Sequence, residues 1–307
     1  MAIAKEVINN FTKSVIESMK KNGSNWDRMF GDNVDPINVI SNKRYRGINW
    51  AMLSFDCENK KYAHNIWATY KQWASLNAQV TKGSKGTPII FYKPPVYKNK
   101  KTGKLTGNSG YFERVTTGST DVEKIKWAVM RASTVFNVNQ VDLSNSEYKV
   151  PVKKAGKQYS IDEIDNFINE TKVIIKHDDV NRCFYVPSKD FINMAPKDKF
   201  QDTKESNATV HYYSTLFHEL THATGHEKRL NRQKQFDDDH KKSYAYEELI
   251  AETGSVLFSK HFRIVKTIRD NHSKYLNGWI KYLNDDYSFL SSAIAKAGKA
   301  FDHFVKE

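Results

Sequence analysis

The amino-acid sequence predicts an α+β protein of two domains, a small mixed one over residues 1–150 and a mainly helical one over 151–307. Three observations carry this. A chain of 307 residues is long enough for two separate cores. Charge divides unevenly: residues 1–150 hold 23 Lys and Arg against 12 Asp and Glu, whereas 151–307 hold 25 against 23, so most of the net +13 lies in the first half. Between the halves, from Asn145 to Tyr159, the composition turns polar, with Lys153, Lys154 and Gly156, as in a linker. A basic half beside a nearly neutral one suits a polyanion-binding domain joined to a domain with another task, and nucleic acid is the expected polyanion.

The composition also excludes classes. No run of 18 apolar residues occurs, and Lys5, Glu6 and Lys13 stand where a secretory leader would be apolar. A soluble protein of the cytoplasm, with no membrane partner, is expected. Cys57 and Cys183 lie far apart and outside any CxxC pattern, so both are expected as free thiols.

From the N-terminus, Ile3, Val7, Ile8, Phe11, Val15, Ile16 and Met19 recur at helical spacing up to Asn22 and Gly23, and Trp26, Met29 and Phe30 follow as an aromatic anchor. Lys43, Arg44, Tyr45, Arg46 and Asn49 then interleave cations, an aromatic ring and an amide. Single-stranded nucleic acid wants that mixture: cations for phosphates, rings for unpaired bases, amides for base edges. Trp50, ahead of Ala51, Met52 and Leu53, is expected in the core, and Tyr45 at the surface. Trp67, Tyr70, Lys71 and Gln72 extend the candidate surface, with Thr69 capping a helix from Tyr70 to Asn77. A Lys82–Gly86 turn brings Lys82 and Lys85 beside the strand Ile89–Tyr92. Residues 93–108 are expected as a mobile Lys- and Gly-rich loop, 111–115 and 133–140 as strands.

In the second half Ser160 and Glu163 form a capping box, short strands are expected at 173–176 and 183–187, and a helix from about Thr209 carries His218, Glu219 and His222. Residues four apart share a helix face, so two imidazoles can meet one cation while Glu219, one step round the turn, takes a proton from a metal-bound water. Catalytic zinc takes three protein ligands. His226 follows Gly225, where the helix should end, and cannot be assumed to share the face. Glu248 and Glu252 share one face of a later helix and fit better. The pattern resembles that of gluzincins, in which a Glu from a later helix is the third ligand and a carboxylate four residues on orients a ligand histidine; the resemblance implies Glu248 as ligand and Glu252 as orienter, with the reverse assignment open. Glu247, on another face, reads as a solvated charge. His211, His240, His261 and His272 read as surface residues, and Tyr212, Tyr213, Tyr244 and Tyr246 as packing or, less simply, oxyanion donors.

The order of motifs resembles the ArdC-type antirestriction proteins of plasmids and phages. KRYRGIN at 43–49, WATYKQW at 67–73, VTKGSKGTPIIFY at 80–92 and VFNVNQ at 135–140 resemble that family's single-stranded-DNA-binding domain. FYVPSKD at 184–190, FHELTHATGHEKRLNR at 217–232, YEELIAE at 246–252 and YLNGWIKYLNDD at 275–286 resemble its zincin-like metallopeptidase domain. The resemblance implies a grip on single-stranded DNA, a catalytic-type metal, zinc first with manganese or another divalent ion as alternatives, and protection of incoming mobile DNA from host restriction. It leaves open an unidentified protein substrate or host restriction component as the second partner. It also leaves open a protein that protects DNA by binding alone, with a metal site that is only structural.

Overall fold

The computed structural model describes residues 2–30, 34–93, 95–106, 120–126, 129–151, 159–203, 206–232, 239–264 and 272–306. The expected strand at 111–115 and residues 152–158 of the expected linker lie outside them.

Helix α1 (Ala2–Asn22) buries Phe11, Val15, Ile16 and Met19 along one face and ends at Gly23, whose φ of +57° only glycine adopts freely. The next turn, Gly23–Phe30, drives Trp26, Met29 and Phe30 into the core. After β1 (Ile37–Asn38), helix α2 (Gly47–Asn59) buries Trp50 through Ser54. Strand β2 (Ile66–Ala68) leads through the Thr69–Gln72 capping box into α3 (Tyr70–Ala74), which stops earlier than expected and turns through Asn77 at φ +54°. There follow β3 (Gln79–Val80), β4 (Thr87–Lys93), β5 (Val96–Asn99), β6 (Leu105–Thr106), β7 (Val122–Lys126), β8 (Val129–Asn137) and β9 (Val141–Asp142).

The main sheet has the order β1-β2-β8-β4, with β1 and β2 parallel and the other pairs antiparallel. Gly86 lies where an added Cβ would meet Thr134 Cγ2 at 2.4 Å and the Val135 carbonyl at 2.8 Å, so the β4–β8 pair closes only over a glycine. Smaller sheets are β3-β9 and β6-β5-β7. The second corrects the expected loop at 93–108. Val96 and Tyr97 pair with Lys126 and Lys124 of β7 and Tyr97 also with Thr106 of β6, the turn closes through Gly103 at φ +68°, and Tyr97 is buried.

Helix α4 (Ile161–Glu170) starts at the Ser160–Glu163 capping box. Strands β10 (Ile174–Lys176), β11 (Phe184–Val186) and β12 (Phe191–Asn193) form a sheet of order β10-β12-β11. The unexpected β12 is three residues long, and only its pairing on both sides makes it a strand. Four helices complete the chain: α5 (Ala208–Ala223), α6 (His240–His261), α7 (His272–Asp285) and α8 (Ser288–Phe304). Among the described residues no helix is long and apolar enough to cross a membrane.

One hydrophobic core runs from the N-terminal elements into the C-terminal helices. Trp26 packs edge-on against Trp279 at 5.7 Å and Phe30 against Trp50 at 5.1 Å. Arg44 bonds Asp302 of α8 at 2.5 Å and lies over the Phe301 ring. The basic half therefore rests on the helical half instead of hanging from a linker.

Candidate metal centre

Helix α5 begins where the Asn207 side chain accepts from the Val210 N–H at 2.9 Å. It ends at Ala223, whose carbonyl accepts from Arg229 Nε at 2.6 Å, so both ends have partners for otherwise orphaned backbone groups. Helix α6 starts at an Asp239 cap and crosses α5 closely: a Cβ on Gly254 would meet the Thr221 side chain at 2.5 Å. This contact sets the two polar faces against each other.

The faces bring His218, His222 and Glu248 together, with one ligand atom from each within 4.8 Å of the others. His218 Nε2 and His222 Nε2 are 3.1 Å apart, and the Glu248 oxygens stand 3.5 and 3.4 Å from them. An ion held tetrahedrally at roughly 2.0–2.2 Å spaces its donors about 3.3–3.6 Å apart, so this triangle fits a small divalent cation within a few tenths of an ångström. Two neutral nitrogens and one carboxylate also suit the chemistry of such an ion.

Glu252 lies behind His218, its Oε1 2.9 Å from Nδ1 but off the line of a straight N–H···O bond. The two carboxylates are thus told apart by which imidazole nitrogen they face: Glu248 the Nε2 side, Glu252 the Nδ1 side. Glu219 is buried in the same helix, and its charge helps hold His222 protonated. Burial alone would lower the His222 pKa, but Glu247 and Glu248 outweigh it and push it up to about 10. Burial would likewise raise the Glu248 carboxyl, yet His218 and His222 hold it well below the usual range.

His226 points elsewhere: it is buried with Nδ1 3.5 Å from Asp190, in a cluster where Arg229 and the Tyr185 hydroxyl also bond Asp190. Glu247 corrects the expectation of a solvated charge. Its Oε1 is 3.4 Å from His222 Nδ1, and both its oxygens accept from Arg232 at 2.8 and 3.1 Å. Neither Glu247 nor Arg232 stood out in the sequence, because their pairing joins residues 15 apart on two different segments. Tyr212, Tyr213 and Tyr246 are buried packing groups, whereas Tyr244, one turn before Glu248, is 54% exposed and shares a 2.8 Å hydroxyl contact with Tyr275. His261 also departs from a surface role, packing on Tyr159, Phe262 and Phe301.

The N-terminal candidates scatter. Trp67 is 0% exposed, with its indole N–H donated to Asn65, and cannot stack on a base. Tyr45 is largely buried and accepts from Asn38; burial raises its phenol pKa. Asn49 pairs with both backbone groups of Ile90, closing the edge of β4 as a neighbouring strand would. Gln72 is spent on the Thr69 cap, and Arg44 on Asp302 and Asp35. Lys43, Arg46, Tyr70, Lys71, Lys82 and Lys85 remain exposed, Arg46 while reaching Asp302 at 3.4 Å. Phe91 and Tyr92, on β4, are 55% and 56% exposed and were absent from the sequence candidates, because an apolar strand run reads as core.

Comparison with known proteins places both halves. Residues 5–136 match the model for the N-terminal domain of anti-restriction factor ArdC, and residues 162–297 match a zincin-like metallopeptidase model. The crystal structure of antirestriction protein ArdC from plasmid R388, metal-free, is similar at 29% identity and a TM-score of 0.74, covering 97% of this chain and 96% of that one. Its Mn(II)-bound form is similar at 28% identity and a TM-score of 0.70, covering 98% and 96%. A DNA primase TraC of Escherichia coli is 31% identical over 300 residues, and protein y4eC of Sinorhizobium fredii 28% identical over 304. The chain covers 91% of y4eC but spans only 26% of that primase's length and 19% of a second TraC primase. The two family matches in order, laid on a structural likeness that runs nearly the full length of both chains, make this chain a member of the ArdC-type antirestriction family, with an ArdC N-terminal domain followed by a zincin-like metallopeptidase domain.

Proposed function

We propose that the chain is a single-stranded-DNA-binding antirestriction protein whose second domain, over residues 151–307, is a metal-dependent peptidase of the gluzincin kind. The observation that carries this is the triangle of His218, His222 and Glu248 with Glu219 buried beside it. Three protein donors leave a coordination position open, as catalytic sites do, whereas structural zinc sites close with four. That favours a hydrolytic centre over a purely structural one. Zinc is the expected ion; the Mn(II) bound by the R388 relative keeps manganese as an alternative.

When bound, a divalent ion there would lower the pKa of a water and polarise a substrate carbonyl. The residues do the rest. His218 and His222 present Nε2 to one point, and Glu248 closes the third side. The Glu219 carboxylate accepts the proton of the attacking water and returns it to the leaving amine. Tyr244, at the exposed edge and one turn from Glu248, is placed to donate its hydroxyl to a developing oxyanion.

DNA binding in this reading belongs to residues 1–150. Exposed Lys43, Arg46, Lys71, Lys82 and Lys85 supply phosphate contacts, and the exposed rings of Tyr70, Phe91 and Tyr92 supply stacking faces. The role follows as protection of incoming mobile DNA in a bacterial cell, with an unidentified protein or a host restriction component as the peptidase target. The test is Glu219→Gln: metal content by mass spectrometry stays at wild type while peptide cleavage and restriction protection fall together. Protection that survives intact would assign the role to DNA binding alone.

A further inference from the structure

Arg232 and Glu247 have no part in the chemistry above, yet they lie directly behind His222. The chain reverses tightly after α5, with the Arg232 backbone N–H donating to the Gly225 carbonyl at 3.0 Å. The Arg232 side chain is buried beneath that reversal, donating to Thr224 Oγ1 and the Thr221 carbonyl as well as to both Glu247 oxygens. Gly225 makes room for it: a Cβ there would stand 3.3 and 3.4 Å from Arg232 Cγ and Cζ, and 3.0 Å from the His222 carbonyl.

A two-point Arg–carboxylate pair with its Arg buried and its carboxylate partly so is weak evidence for stability, because desolvation cancels much of the attraction. What it provides is a carboxylate that cannot rotate. The oxygen so held faces His222 Nδ1 at 3.4 Å, while His222 Nε2 belongs to the donor triangle. Glu252 stands behind His218 in the same relation. Helix α6 therefore presents three carboxylates to the two histidines, Glu248 in front and Glu247 and Glu252 behind one imidazole each.

We propose that Arg232 and Glu247 are a positioning pair that holds the neutral His222 imidazole with its proton on Nδ1 and Nε2 turned to the cation, and so raises the affinity for a divalent metal. This rests on His218, His222 and Glu248 being the metal set. A ligand histidine whose other nitrogen donates to an anchored carboxylate is fixed in tautomer and ring orientation, and losing such a partner typically costs about 10–100-fold in metal affinity. Arg232 acts through Glu247, so its removal should weaken binding by less.

The experiment uses the full chain stripped of metal, titrated with Zn(II) and, separately, Mn(II) against a chromogenic chelator, together with the Tm of each metal-free form. Glu247→Ala is expected to weaken binding about 10–100-fold, with Glu247→Gln and Arg232→Lys in between wild type and Glu247→Ala. Glu227→Gln, which removes an equal charge from an exposed site in the same loop, should leave it unchanged. Should Glu247→Ala fail to fold, Glu247→Gln, which keeps the shape, decides. A metal affinity within about twofold of wild type in the Glu247 variants, with or without a lower metal-free Tm, makes the pair structural and overturns the proposal. A wild-type chain that binds neither ion, or a Glu248→Gln variant that binds as well as wild type, sinks the metal reading itself.

Discussion

The α5–α6 pair and the stretch from Lys43 to Trp73 are both dense in polar and aromatic side chains, and the fold treats them in opposite ways. Between the helices, polar groups converge: two imidazoles and Glu248 meet around one point, Glu247 and Glu252 back one imidazole each, and Arg232 reaches Glu247 from a single loop. Along Lys43–Trp73 they diverge. Arg44 turns to α8, Asn49 to the edge of β4, Gln72 to a helix cap and Trp67 into a sealed core, while Lys43, Tyr70 and Lys71 face solvent. Convergence follows from helical spacing, which acts within one turn. Shared composition along a strand or loop imposes no shared environment.

The comparison can be broken by mutation. Glu219→Gln should lower any peptide hydrolysis by about 10²–10⁴-fold, the usual worth of a general base, with metal affinity intact; kcat and a chelator titration on the same samples measure both. Trp67→Ala should destabilise the protein by about 3–5 kcal/mol in urea unfolding, since a large buried ring leaves a cavity. Its affinity for single-stranded DNA, measured on the folded fraction, should be near wild type, and a selective loss of DNA binding would return Trp67 to the DNA surface.

Acidity tests the converging region. His222 is held protonated in the metal-free fold, so its contribution to stability is complete below its unfolded pKa of about 6.5 and is lost as the pH rises through about 10. Glu247 and Glu248 are lowered, so theirs is present above the ordinary carboxylate range and lost as the pH falls below it through their lowered folded values. Metal-free protein should therefore be most stable between those limits, at mildly acidic pH. Metal affinity should run the other way and rise with pH, because the ion needs a neutral imidazole. Urea midpoints with and without chelator check both slopes.

Paired charge reversal, Lys82→Glu with Lys85→Glu, should weaken single-stranded-DNA binding and flatten its salt dependence by roughly 0.7 per lost phosphate contact in the log–log slope. The smallest effect is expected from Asp302→Asn, which weakens the hold on Arg44 and Arg46 while Arg44 keeps Asp35: about 0–1 kcal/mol of stability.

Much of the helical half was legible beforehand. The α5 start, its end near Gly225, the Ser160 capping box and the shared helix face of Glu248 and Glu252 all rest on local spacing. The basic half was less so. The 93–108 stretch holds strands because β5 pairs with β6 and with β7 beyond the stretch, and β12 exists through its neighbours. Glu247 looked solvated because helix phase puts it off the Glu248–Glu252 face, and only the return of Arg232 beneath the loop encloses it.

By itself the sequence determined the helix registers that put His218 beside His222 and Glu248 beside Glu252, since those neighbours are one turn apart on a single chain segment. It also determined the family, through motifs kept in order from residue 43 to residue 286. Tertiary structure alone decided which imidazole nitrogen each carboxylate faces, and which cations and rings of the basic half reach solvent. Those outcomes depend on how α6 lies across α5, and on what α2, β4 and α8 cover, through contacts between residues distant in the chain.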